Sequence, residues 1–199
     1  MQALLKLSRL VDWLTNRIGR GLIWLILASV LISAGNAIVR KTLDIGSNAL
    51  LEIQWYLFAM VFMLGSGFAF LKNAHVRIDF ISNHFTARTR NLIDVVGIVV
   101  FLFPLCYMLI TLSWPTFYNA WVSGEMSQNA GGLVRWPVYL LIPVGFFMLV
   151  IQGLSELIKR AAFLTGHAPD SISHVESEEH DTINLEINEH AAHAREEIR

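Results

Sequence analysis

Charge is scarce in this chain. Charged residues are 16% of its 199 positions, against about 25% in an ordinary soluble domain. The deficit is concentrated in long apolar runs, which puts a membrane protein first among the classes to consider. Cysteine is almost missing as well. The single Cys106 lies inside an apolar run, so no disulfide framework, Cys-based metal site or thiol-pair redox centre can form within one chain. The apolar runs hold no histidine, which removes the usual axial ligands of a membrane haem. They also offer no base to activate a buried serine for intramembrane hydrolysis. Finally, the ionisable residues Glu52, Asp94 and Glu156 stand at the ends of these runs rather than at their centres. A proton relay or a substrate counter-ion would need such groups near the bilayer midplane. No catalytic residue, cofactor site or metal site is expected, and no nucleic-acid partner.

What is present is four apolar runs, about 21–39, 51–71, 92–114 and 136–158. Each is long enough to cross roughly 30 Å of hydrocarbon at about 1.5 Å per residue. Isolated spans satisfy their backbone in lipid as helices, so the expected fold is all-α, with four transmembrane helices. Lys and Arg set the direction. Near the membrane, ten lie on the side of the N-terminal arm, the middle loop and the segment after the last run, and three on the other: Arg40, Lys41 and Arg135. Both termini are therefore expected in the cytoplasm. Trp55, Trp114 and Trp136 then fall at the outer surface and Trp13 and Trp24 toward the inner one, as aromatic belts do. Ser33-Ala34-Gly35 is a candidate processing site, but retention of the first helix is the favoured reading.

Residues 1–20 form an amphipathic arm. Leu4, Leu7, Val11, Leu14 and Ile18 share a face, and Lys6, Arg9, Asp12, Asn16 and Arg17 lie elsewhere. This is read as a helix lying in the inner interface, in contact with membrane lipid, in preference to a plain extension of the first span. The middle loop, with Val76, Ile78, Phe80, Ile81 and Phe85 among charges, is expected to dip into the same interface. The transmembrane domain then covers 21–164. From 165 to 199 the chain is acidic, holding nine of the sixteen Asp and Glu residues, and is read as a disordered cytoplasmic tail. It carries His167, His174, His180, His190 and His193. His190 and His193 have helical spacing, but scattered His without Cys favours a solvated tail over a metal site.

Pro104 and Pro143 interrupt the third and fourth runs and free the carbonyls of Val100 and Tyr139. The first two runs have no matching breaks, so kinks that shape packing are favoured over a transport site of broken helices. Ser29 with Ser33, and Gly65 with Ala69, are small-xxx-small pairs. They suit close helix approach, either inside the four-helix body or to a partner helix. Asn36, Gln54 and Gln152 have the same two uses.

Several segments, in order, carry a resemblance. They are Glu52-Ile-Gln-Trp-Tyr, Gly65-Ser-Gly-Phe, Lys72-Asn-Ala-His-Val-Arg-Ile-Asp79, Ser123-Gly-Glu-Met-Ser127, Gly131-Gly-Leu-Val-Arg-Trp-Pro137 and Ile142-Pro-Val-Gly-Phe146, followed by Gln152-Gly. Over roughly residues 10 to 162 the chain resembles the small membrane subunit, DctQ type, of tripartite ATP-independent periplasmic (TRAP) transporters. The acidic tail departs from the short C-terminus usual there.

The resemblance implies a non-catalytic inner-membrane subunit with two protein partners. One is a large membrane subunit that carries substrate and coupling ions, usually Na+. The other is a periplasmic binding protein that captures an organic acid. It also implies interface candidates in this chain: Glu52 and Trp55 at the start of the second span, beside the small-residue pair Gly65 and Ala69 already read from spacing, and His75, Arg77 and Asp79 on the inner side toward lipid or the large subunit. On the outer side it implies Glu125, Arg135 and Trp136, although an Arg135–Glu125 pair within the chain explains those two charges equally well. The Gly131-Gly-Leu-x-Arg-Trp pattern, with the long loop before it, resembles the branch associated with 2-oxo acids and other monocarboxylates or aromatic acids. Two other readings fit the hydropathy: a self-sufficient small carrier working as a homo-oligomer, with Glu52 its only coupling group, or an assembly subunit of another membrane complex.

Overall fold

The computed structural model describes residues 1–44, 46–72 and 85–167. The expectations placed on His75, Arg77, Asp79, most of the middle loop and most of the acidic tail lie outside these residues. The regular structure of the described residues is helical apart from one isolated antiparallel bridge, Met126 to Val134. Helix α1 is Gln2–Leu43 and α2 is Asn48–Leu71; α3, Ala87–Gly97, runs through a π-helical turn, Ile98–Leu102, into α4, Phe103–Ser123. Helix α5 is Trp136–Leu164. Four segments are long and apolar enough to cross a membrane: α1, α2, the combined α3–α4 rod and α5.

Two features of these helices differ from expectation. The arm and the first span are one unbroken helix, so residues 2–20 are not a separate interfacial element. Gly19 lies within it where α1 passes the Phe68 ring; a Cβ there would come within 2.3 Å of that ring. At about 1.5 Å per residue α1 is roughly 63 Å long, about twice the hydrocarbon thickness. The third helix also continues past Trp114 to Ser123, with Pro115 inside it. It ends where Gly124 takes a left-handed conformation (φ 62°) and donates its N–H to the Ala120 carbonyl, a common helix stop.

The π turn has a local cause. Pro104 cannot donate to the Val100 carbonyl, and its ring crowds that group. The helix widens by one residue just ahead of it, and the Phe103 N–H reaches back to Ile98, as in a π-bulge.

Helix α5 is the centre of the body. It packs on α1, α2 and the α3–α4 rod, while α1 pairs with α2. Glycine sets the closest approaches. A Cβ on Gly145 would stand 2.7 Å from the Met63 carbonyl oxygen of α2, and one on Gly153 would stand 2.8 Å from a Leu102 methyl. Small residues thus let backbones approach where a bilayer gives no hydrophobic drive between helices. The outward faces of α1 and α4 stay apolar and exposed, with Ile23, Leu31, Tyr107 and Leu112 among them, as does Phe101 in the π turn.

Candidate interaction surfaces and the polar clusters behind them

The end of the body where α2 begins is built around Glu52. It is only 1% exposed, although it is the fifth residue of α2. The carboxylate accepts from the Ser127 hydroxyl, from Asn129 Nδ2 at 2.9 Å and from the Leu133 backbone N–H at 2.6 Å. Charge-assisted bonds of this kind are roughly twice as strong as neutral ones. The loop they hold is folded on itself: Ser127 N–H donates to the Leu133 carbonyl at 2.8 Å and Arg135 N–H to the Glu125 carbonyl at 2.9 Å. Two more α2 side chains reach the same loop, Asn48 to the Ala130 carbonyl at 2.9 Å and Tyr56 to the Val134 carbonyl at 2.8 Å. Gly131 is left-handed (φ 72°), and a Cβ on Gly132 would lie 2.5 Å from Ser127 Cβ and 2.8 Å from Glu52 Oε1. That explains the paired glycines of this loop.

Arg135 pairs with Glu125 at 3.3 Å and donates to the Tyr139 hydroxyl at 3.4 Å. The Tyr139 hydrogen bond, with Glu125 beyond it, holds the guanidinium above its ordinary pKa. It stays charged throughout the physiological range, so this pair is not a pH switch. Trp136 meets Trp121 edge-on at 4.5 Å, and Trp55 meets Tyr56 edge-on at 4.7 Å. Of the sequence candidates, Glu52, Glu125, Arg135 and Trp136 are therefore gathered in or beside one loop. Gly65 lies instead against Leu22 of α1, 3.3 Å from where its Cβ would be. Ala69 is half-buried near the other end of α2. Ser29 and Ser33 line a shallow groove between α1 and α2 together with Gln54, and Ser29 contacts the Gln54 carbonyl at 3.5 Å.

A second polar cluster ties the helices together at the opposite end of the body. Gln152 accepts from the Thr15 hydroxyl at 2.8 Å and donates to Asp12 Oδ1 at 2.9 Å. Ser155 donates to Asp12 at 2.8 Å and shares a 2.7 Å contact with the Ser8 hydroxyl. Lys159 bridges Asp12 at 3.0 Å and Glu156 at 2.5 Å. Arg160, 1% exposed, pairs with Glu156 through Nη1 and with Asp94 through Nε and Nη2, both at 3.2 Å. Three helices are thus joined by one network.

Sequence reasoning places Asp94 and Glu156 separately at span ends and misses that they share Arg160. The available signal is spacing. Gln152, Ser155, Glu156 and Lys159 follow i, i+3, i+4, i+7 on α5, and Ser8, Asp12 and Thr15 follow i, i+4, i+7 on α1. Two such polar rows invite each other. Among the described residues no three His, Cys, Asp or Glu side chains are gathered to hold a metal.

Four apolar helices, glycine-set approaches and polar clusters that lock helix to helix define a multi-pass membrane protein whose buried polarity serves its own assembly. The sequence profile of the DctQ component of the tripartite ATP-independent periplasmic transporters matches residues 29–163. The chain belongs to this family of small TRAP-transporter membrane components. Searches of curated proteins and of solved structures gave no match.

Proposed function

We propose that this chain is the small, non-transporting membrane subunit of a TRAP-type secondary transporter. It packs against the large subunit and steadies it in the bilayer. The large subunit takes up an organic acid, delivered by a periplasmic binding protein and driven by an ion gradient, Na+ in the first instance. In this reading both termini face the cytoplasm, and the Glu52-braced loop faces the periplasm. Glu125, Arg135, Trp55 and Trp136 then stand where a partner would dock.

One observation carries the reading. Glu52, Gln152, Glu156 and Arg160 are spent on bonds within the chain, while the outward faces of α1 and α4 are apolar. A carrier keeps polar groups facing a pathway; a supporting subunit turns apolar faces to its neighbours.

The test is uptake into proteoliposomes holding this chain, the large subunit or both, with the binding protein outside and a panel of carboxylates that includes 2-oxo acids. The reading predicts Na+-dependent uptake only with both subunits present. Uptake by this chain alone would overturn it.

A further inference from the structure

The N-terminal half of α1 carries an exposed row that the transporter reading does not use. Lys6, Arg9, Trp13, Arg17, Arg20 and Trp24 are all exposed. At about 100° per residue they fall within a sector of roughly 80° on the helix. The opposite side is buried: Ser8, Thr15, Gly19 and Leu22 face the body. Between the two runs a third strip, Leu7, Leu10 and Leu14, apolar and also exposed. The helix therefore has one face for protein, one for hydrocarbon and one for negative charge. Asp12, the only acid in residues 1–43, is turned inward onto Lys159. Among the described residues none of the four cations has an acidic partner within salt-bridge distance.

Depth sharpens the requirement. Thr15 is level with Gln152 and Gly67, and Gly19 is level with Phe68. Arg17 and Arg20 therefore sit beside the last turns of α2, about 4.5 Å apart along the axis at about 1.5 Å per residue. Their long stems reach the interface by snorkelling. The Arg17 guanidinium lies over the Trp13 ring, 5.5 Å from its centre. Held on that face, it keeps its edge donors for an anion.

We propose that this row is a binding surface for the phosphates of anionic phospholipids in the leaflet around the helix's N-terminal half. A lipid suits it better than an acidic protein face. The cations spread over about 21 Å of helix, and the adjoining leucine strip asks for acyl chains on the same side.

Native mass spectrometry of the detergent-purified full chain, titrated with phosphatidylglycerol or phosphatidylcholine, tests this. The wild type should prefer phosphatidylglycerol. Arg17→Gln with Arg20→Gln should weaken phosphatidylglycerol binding about 25-fold, at about fivefold per cation. Arg17→Lys with Arg20→Lys should keep it, and so should Arg40→Gln with Lys41→Gln, which removes equal charge from the far end of α1. An unchanged preference in a variant with all four cations replaced by Gln, at an unaltered unfolding midpoint, would overturn the proposal. So would a wild type without lipid preference whose Gln variant sheds a co-purifying protein, since the row would then face that protein.

Discussion

Replacing Arg160 with Met should be among the most damaging single changes inside the body. The side chain keeps most of its length and loses its charge. Glu156, 5% exposed at its side chain, and Asp94, 26% exposed, then lose the guanidinium between them. Removing one member of a buried ion pair costs about 3–5 kcal/mol, because the survivor remains charged and poorly solvated. Two features pull the figure to the lower end of that range. Lys159 still touches Glu156 at 2.5 Å, and Asp94 has partial access to solvent. We therefore expect a loss of about 3 kcal/mol, read by reversible unfolding of the purified chain in mixed micelles. Adding Glu156→Gln and Asp94→Asn to the Arg160→Met variant should restore most of it, since neither carboxylate charge then faces the missing guanidinium. A loss under about 1 kcal/mol, the range of an exposed pair, would refute the reasoning. So would a triple variant no more stable than the single one.

Three further outcomes follow from the same geometry. Gly145→Ala should destabilise by about 1–3 kcal/mol by pressing α5 off the Met63 backbone, measured in the same unfolding assay; Gly21→Ala, where a Cβ meets nothing within 4 Å, should not. Glu52→Ala should free the loop between α4 and α5, so the Leu133 amide should exchange with deuterium at least about tenfold faster while amides in the middle of α5 keep their protection. Arg135→Glu sets two acids against each other where a pair now stands at 3.3 Å and should lower uptake by the assembled transporter without lowering the amount of this chain in the membrane; unchanged uptake at equal expression would leave Arg135 a purely internal residue.

The four spans are legible in the sequence because lipid demands long apolar runs and forces them to be helical. The Glu125–Arg135 pair is legible as one of two alternatives, and the structure contains it. Helix ends are less legible. Nothing in the composition of residues 2–20 says whether an amphipathic arm bends into the interface or runs on; the contacts that hold it in line, Gly19 beside Phe68 and Ser8, Asp12 and Thr15 on α5, all come from more than 40 residues away in sequence. The third apolar run reads as ending near Trp114 because hydropathy falls there; the helix itself carries Pro115 and continues to Ser123. Glu52 reads as a charge at a span end. Its burial depends on three donors that arrive from 75 to 81 residues away, and no local pattern announces them. The arm's apolar face also misleads, since its polar row, Ser8, Asp12 and Thr15, is the one that packs on α5.

The most direct test of the central claim is affinity purification of this chain from its native membrane in mild detergent, with co-purifying proteins identified by mass spectrometry. The account predicts a large multi-span membrane subunit in one-to-one amount with this chain. Recovery of this chain only with copies of itself, at native expression, would contradict it.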